Sequence, residues 1–465
     1  MKTKPDILSK ILISREKRAE LRQKISAKKE CSVSINLNIP GYPKSSRLYN
    51  SFFNEIIIQV ERHFIAHRIF WQDKTIQTDE AGDFFIASIK QTFLSPQQIK
   101  TVAEKFESGH SIGRFIDIDI TDASGNIVSS GKLKKCFYCD KNPALVCMRN
   151  NTHTAEELRQ YQRKKIQQYL YAKFQNKLIK KLHSIALQSI LYEITLTPKP
   201  GLVDTNSSGA HTDMNFQSFV DSTAAISVYF DELAKIGFTI ESESEILPAI
   251  REIGLQMEKD MFSITHGVNT QKGIIFLMGI CLAATTFIIR KEKQFSLHSF
   301  QKTVSAVNQG ITEQELIKFN NKSSHGEICF SQYGNQYGGI RQEVELGFPT
   351  VINHALPFLL NSCPDNIIYN SNNDNISVYK TLLKIISVSN DTNIIHRQGP
   401  SSLKKIKKMC MEILEEKHPD IFNNKREALA DYFKKHNISP GGSADLLSIS
   451  IYLYKVLKTS MNNEF

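Results

Sequence analysis

The feature that most constrains this 465-residue chain is a change of pattern part-way along it. Between His153 and Lys181 the residues turn to Glu, Arg, Gln and Lys with few apolar positions, a composition that predicts a long exposed helix or helical linker. Before it, apolar residues tend to alternate; after it, they recur every three or four positions. One core does not accommodate both patterns over this length, so the chain is read as two domains, an N-terminal α+β unit and a C-terminal mainly α-helical unit. The boundary is placed near residue 172, giving units 1–172 and 173–465.

In the first unit, a basic helical stretch from Ser9 to Lys29 precedes Cys31–Ile39, whose alternation predicts a half-buried strand ended by Pro40-Gly41. An apolar-rich run from Phe52 to Phe70 follows. Further expectations are a strand at Asp83–Ile89, a helix at Pro96–Glu107 and a strand at Arg114–Ile120. In the second unit, Ile179, Leu182, Ala186, Ile190 and Ile194 share one helical face, and similar segments recur to the C-terminus without a fixed repeat.

Charge and cysteine usage narrow the class of partner. A net charge of +11 with a pI near 9.0 suits anionic ligands such as polyphosphates, coenzymes, acidic proteins or nucleic acid. Eight irregularly spaced Cys do not form a disulfide framework, and the first residues lack the apolar core and cleavage site of a secretory signal, so a cytoplasmic location is expected. The most apolar stretch, Gly273–Ile289, is shorter than the roughly 20 residues a bilayer span requires and is expected to be a buried core helix, with no membrane partner.

Chemistry in the first unit centres on His110-Ser-Ile-Gly-Arg-Phe-Ile-Asp-Ile-Asp-Ile120. In a strand, Ile116, Ile118 and Ile120 point to one face while Asp117 and Asp119 point together to the other, about 7 Å apart. Two carboxylates so placed can hold Mg²⁺ against a polyphosphate, with Arg114 close by. The plainer reading is an amphipathic edge strand with a solvated acidic face. Cys136, Cys139, Cys147 and His153 offer four ligand types for a structural Zn²⁺, but the gap to Cys147 is short for most zinc modules, and a reduced cysteine cluster packing a loop is the preferred reading. Arg15 and Arg18 in Ser14–Arg18 serve as phosphate contacts or as a solvated helix face.

In the second unit, five loops beside apolar helices concentrate polar residues: Thr195–Asp204 with Gly209–Met214, Thr265–Gly273, Gly338–Pro349, Asn390–Asn393 with Arg397, and Ser439–Leu447. Helix N-termini carrying Gly267–Gly273 and Gly441-Gly442-Ser443 are natural phosphate cradles, to which Lys272 and Arg341 add charge. Glu193, Asp204, Asp213, Glu343, Asp391 and Asp445 exceed what an anion site needs, which points to a Mg²⁺–nucleotide site; helix capping is the alternative for each loop alone.

On these residues the second unit resembles triphosphoribosyl-dephospho-CoA synthase, through TPKPGLVD at Thr197–Asp204, His211-Thr-Asp-Met, GVNT-x-KG at Gly267–Gly273, the Arg341/Glu343 loop with GFP, Asp391-Thr-Asn and SPGGSADLL. The first unit is similar to citrate lyase holo-acyl-carrier-protein synthase, through SREKR, GRFIDIDI and the Cys136/Cys139/Cys147/Arg149/His153 segment. The resemblance implies a nucleotidyltransferase-like mixed sheet in the first unit and a bifunctional transferase. The second unit would join ATP and 3′-dephospho-CoA with release of adenine. The first would move phosphoribosyl-dephospho-CoA to a serine of the apo acyl carrier subunit of citrate lyase, releasing pyrophosphate. In that scheme Asp117 and Asp119 hold Mg²⁺ while Arg15 or Arg114 supports pyrophosphate departure; Asp213 and Glu343 serve ribosyl transfer; Lys199, Asn269, Thr270, Lys272, Arg341, Arg397, Gly441, Gly442 and Ser443 bind substrate or phosphate; Asp204 or Asp391 holds Mg²⁺.

Three positions depart from the family pattern. Gln271 stands where His is expected, which puts acid/base work there in doubt, and Gln342 and Gln398 replace Gly, so those loops are expected to follow a different path. Two competing readings are a basic nucleic-acid-binding protein with a degenerate nucleotidyltransferase domain, and a fusion in which one half only docks the carrier. The scattered charge, the single Trp and the absence of a recognition motif speak against nucleic acid as a partner.

Overall fold

A computed structural model describes residues 4–129, 131, 134–316, 325–363 and 376–462. The chain divides into two compact units, 1–174 and 175–465, an N-terminal α+β unit and a C-terminal mainly helical one.

The first unit runs α1 (Lys4–Ser26), β1 (Cys31–Leu37), α2 (Arg47–Ala66), β2 (Phe70–Asp79), β3 (Gly82–Gln91), α3 (Pro96–Gly109), β4 (Ile116–Thr121), α4 (Ala144–Arg149) and the start of α5 (Ala155–Thr195). The four strands form one antiparallel sheet in the order β2-β3-β1-β4. Alternation sorts its faces. Val33, Ile35, Phe85, Ala87, Ile89, Ile116, Ile118 and Ile120 face a core shared with Phe52, Phe53, Ile56 and Val60 of α2, Ile99 and Ala103 of α3, and Ile166 of α5. The opposite face is polar: Ser34 pairs with Asp119 and Asn36 with Asp117 across the β1–β4 ladder. Helix α1 lies over it, and its Arg18 and Arg22 sit above the Phe84 ring at 4.8 and 5.5 Å.

The sequence reading passes over β2, a polar edge strand whose register shifts break the alternation that marks a strand. It also extends the last strand back to Arg114, which instead lies in a turn at Gly113–Phe115. That turn requires glycine: a β-carbon on Gly113 would lie 1.8 Å from the Glu107 carbonyl oxygen.

The second unit continues through α6 (Phe216–Ser227), α7 (Phe230–Thr239), α8 (Ile246–Ile264), α9 (Lys272–Glu292), α10 (Leu297–Val307), α11 (Ile311–Leu316), α12 (His325–Tyr333) and α13 (Gly339–Glu345). It ends with α14 (Leu356–Ser362), α15 (Ile376–Val388), α16 (Thr392–Leu414), α17 (Pro419–Lys435) and α18 (Gly441–Met461). Helices α9 and α18 are apolar nearly all round, which is the mark of a central helix, and both are buried along most of their length. Tyr452 Oη donates to Thr285 Oγ1 at 3.0 Å between them. By length and composition α9 is apolar enough to cross a membrane, but 83% of its most apolar window is buried inside the protein. Gly237 lets α7 meet α9 closely, since a β-carbon there would strike the Ala283 carbonyl at 2.3 Å.

Candidate functional sites

In the first unit, β4 is an edge strand, and its acidic face is not simply solvated. Lys134 Nζ lies 2.9 Å from Asp117 Oδ1 and 3.0 Å from Glu107 Oε2, and Arg22 lies 3.9 Å from Asp119. Helix α3 covers the edge: Glu107 accepts the Ile118 N–H at 2.8 Å and Lys100 donates to the Ile118 carbonyl at 2.7 Å. Burial pushes the Asp119 carboxyl up, and repulsion by Asp117 adds to it; burial likewise raises Glu107. The two acids repel each other and are compensated by a lysine on one and an arginine near the other. Arg114 donates to the Lys135 carbonyl, which places it beside the same segment. Arg15 is exposed on α1, whereas Arg18 is buried, donating to both oxygens of Asp79 and to the Gly82 carbonyl, which makes it structural.

Cys136, Cys139, Cys147 and His153 come together, their ligand atoms all within 4.8 Å of one another. The reason for preferring a packing role, the short gap to Cys147, does not hold in space. A turn with Asp140 in the left-handed region folds the chain back, Cys136 N–H donates to the Asn142 carbonyl, and α4 returns Cys147 beside Cys139. The Cys139 and Cys147 sulfurs are 3.7 Å apart, against about 3.8 Å for two thiolates at ~2.3 Å from a tetrahedral Zn²⁺. The Cys139 thiol is lowered to about 6 by the N–H groups of Lys141 and Asn142 and by His153. The His153 Nε2 is buried without a hydrogen-bond partner among the described residues. Such a Cys₃His cluster can chelate a metal.

In the second unit, four of the five loops converge where α9, α16 and α18 begin. A β-carbon on Gly273 would lie 2.0 Å from Asp445 Oδ2, and one on Gly442 3.3 Å from Asp391 Oδ2; Gly441 likewise faces Asn393. Asp391 caps α16 and binds α18: Oδ1 accepts Asn393 N–H, while Oδ2 accepts the N–H and hydroxyl of Ser443 at 2.7 and 2.8 Å. Asp445 has no hydrogen bond or ion pair among the described residues. Burial, then Glu193 and Asp391, push its carboxyl well above the usual range. The sequence reading counts Asp445 and Glu193 among the loop acids but assigns neither a role, since nothing in the spacing shows which acid lacks a partner.

Several residues expected to bind substrate are committed elsewhere. Lys199 is buried against Glu193 at 2.7 Å. Asp204 accepts the Lys199, Asn206 and Ser207 N–H groups and so fastens its own loop, leaving it a poor Mg²⁺ ligand. Arg397 holds the Ala210 and Asn437 carbonyls, joining the His211 loop to the turn before α18. Asn269 Oδ1 accepts the Lys272 N–H at the start of α9, Thr270 Oγ1 is buried without a partner among the described residues, and Lys272 lies 3.0 Å from Glu258. His211 Nε2 lies 2.8 Å from Ser439 Oγ and its Nδ1 3.7 Å from the exposed Asp213, and burial lowers its pKa.

In the fifth loop, Gly339 abuts Thr392. Arg341 pairs with Glu315 at 2.7 Å and stands 3.6 Å from Glu327. Glu343 accepts the N–H and hydroxyl of Thr350, and burial raises it to about 7. Gln271 is buried, hydrogen-bonded to Ser222 and Thr223, which makes it a packing residue in place of the expected His. Neither Gln342 nor Gln398 has a positive φ, which falls on Gly339 and Gly399 in these loops, so glutamine is tolerated at both.

Comparison with known proteins agrees with this division. Residues 7–169 match the family of apo-citrate lyase phosphoribosyl-dephospho-CoA transferase, and residues 179–464 that of ATP:dephospho-CoA triphosphoribosyl transferase. The chain is 30% identical to Protein CitXG of Leuconostoc mesenteroides subsp. cremoris, over 97% of each chain, and 28% identical to Protein CitXG of Haemophilus influenzae, over 96% of this chain and 95% of that one. It is 34% identical to a probable 2-(5″-triphosphoribosyl)-3′-dephosphocoenzyme-A synthase of Streptococcus mutans, over 58% of this chain and 94% of the relative. The chain therefore belongs to the fused family that joins these two transferases, and it is a bifunctional maturation enzyme for the citrate lyase prosthetic group.

Proposed function

We propose that the two reactions are carried by two acid sites, one per unit, with ATP, 3′-dephospho-CoA and the apo acyl carrier subunit as partners. The observation that carries this reading is Asp445, a carboxylate without a partner among the described residues, at the meeting of three helix N-termini. Departure of adenine from ATP builds positive charge on the ribose, and a carboxylate beside C1′ stabilises it. Asp445 takes that role. His211, held neutral by burial and flanked by Asp213 and Ser439, accepts the proton of the attacking 2′-hydroxyl of dephospho-CoA. The first turn of α9, with Thr270 and Lys272, receives the triphosphate.

Asp445, whose bare carboxylate is disfavoured by burial and by the charges of Glu193 and Asp391, is the acid in the second unit that suits one Mg²⁺. Asp117 and Asp119 suit another. When bound, Mg²⁺ neutralises phosphate charge as the leaving group departs. In the first unit the carrier serine attacks the α-phosphorus and pyrophosphate leaves, with Arg114 and Lys134 beside it. Zn²⁺ is the ion that the Cys₃His set suits.

The test is to incubate the full chain with ATP, 3′-dephospho-CoA, Mg²⁺ and apo carrier, following free adenine and the mass of the carrier. Stoichiometric adenine release and a carrier heavier by one phosphoribosyl-dephospho-CoA are expected. Adenine release without any carrier mass change removes the first unit's role.

A further inference from the structure

We infer that Cys136, Cys139, Cys147 and His153 bind one Zn²⁺ whose purpose is to hold Lys134 on Asp117, making the cluster a positioning device for carrier loading. This rests on the reading that Asp117 and Asp119 serve the transfer. Three thiols and an imidazole are donors that select Zn²⁺ over Mg²⁺; their ligand atoms gather within 4.8 Å of one another, and the Cys139–Cys147 pair, at 3.7 Å, has the spacing of a tetrahedral edge. Phe137 and Tyr138 pack the first part of the segment on Phe115 and Tyr161. Leu145, Val146 and Met148 of α4 are all exposed, so apolar burial does little to hold the part that carries Cys147, and a metal supplies what a core does not there.

The connection to Asp117 is short. Lys134 lies two residues before Cys136, its carbonyl accepts Ala144 N–H at 2.9 Å, and the next carbonyl, of Lys135, holds Arg114. Fixing Cys136 and Cys147 therefore fixes both ends of the turn that delivers Lys134 to Asp117 and Glu107. A lysine on a four-carbon stem, with its side chain 41% exposed, is poorly localised unless its backbone is anchored.

The test uses the full chain purified under reducing conditions and the preformed triphosphoribosyl intermediate as substrate. One zinc per chain is expected. Cys139→Ser should lose zinc and raise KM for the intermediate by on the order of tenfold, the usual effect of removing support around a site, with adenine release unchanged. Lys134→Ala should raise KM alike while keeping zinc, and the double variant should be no worse than either alone. Cys139→His, which keeps a zinc ligand at that position, should retain both zinc and the wild-type KM. Wild-type chain without zinc, a Cys139–Cys147 disulfide in its place, or KM losses that multiply would each overturn the inference. If Cys139→Ser does not fold, Co²⁺ exchanged into the wild-type chain decides: thiolate charge-transfer and strong tetrahedral d–d bands are expected, and their absence overturns the site. Normal loading by Asp117→Asn with one zinc per chain would instead remove the acid-pair reading and leave the metal site standing.

Discussion

The carboxylate of Asp445 fills the space in front of Gly273, where a β-carbon would lie 2.0 Å from Oδ2. The starts of α9 and α18 are thereby held in contact by a residue with no side chain and a residue with no partner among the described residues.

Gly273→Ala should displace that carboxylate. A shift of about 1 Å at a reacting centre costs on the order of 10²-fold, so adenine release should fall by at least that much while carrier loading from preformed intermediate is unchanged. Adenine release within twofold of wild type would show that Asp445 does not act at the ribose.

Asp117→Asn should abolish carrier loading and leave adenine release intact, because the two acid sites belong to different units. Equal loss of both activities would argue against separate sites.

Lys199 and Glu193 form a buried ion pair, with side chains 3% and 8% exposed. Lys199→Met should therefore act on stability, by about 3–5 kcal/mol, since it leaves Glu193 charged and unpaired. Chemical denaturation of the full chain checks this; an unchanged midpoint with a raised KM for ATP would restore Lys199 to phosphate binding.

Glu343 provides a pH test. Its carboxyl is raised to about 7 from an ordinary 4.5, so the folded state binds more protons than the unfolded state between those values. Its contribution is present below pH 4.5 and is lost as pH rises to about 7, by up to about 3 kcal/mol. Glu343→Gln should remove that slope, read as the difference in denaturation midpoint between pH 5 and pH 8. A wild-type midpoint no more pH-dependent than the variant's would contradict it.

The pattern change near His153, the alternation of β4 and the apolar course of α9 were legible because each follows from periodicity. Strand β2 was not, since an exposed polar edge lacks that signal. The loops carrying the second site were also legible as loops, but which acid in them is free depends on where other chain segments spend their N–H groups. Asp391 and Asp204 look like Asp445 in sequence; the backbone of Ser443, Asn206 and Ser207 separates them. The Cys₃His cluster was legible as ligand types and obscured by a spacing that the turn at Asp140 makes workable.

The most direct measurement is the mass of the acyl carrier after incubation with the Asp445→Asn chain. With ATP, 3′-dephospho-CoA and Mg²⁺, no mass increase is expected; with preformed triphosphoribosyl-dephospho-CoA, the full increase is expected. A carrier modified from ATP by this variant would contradict the account.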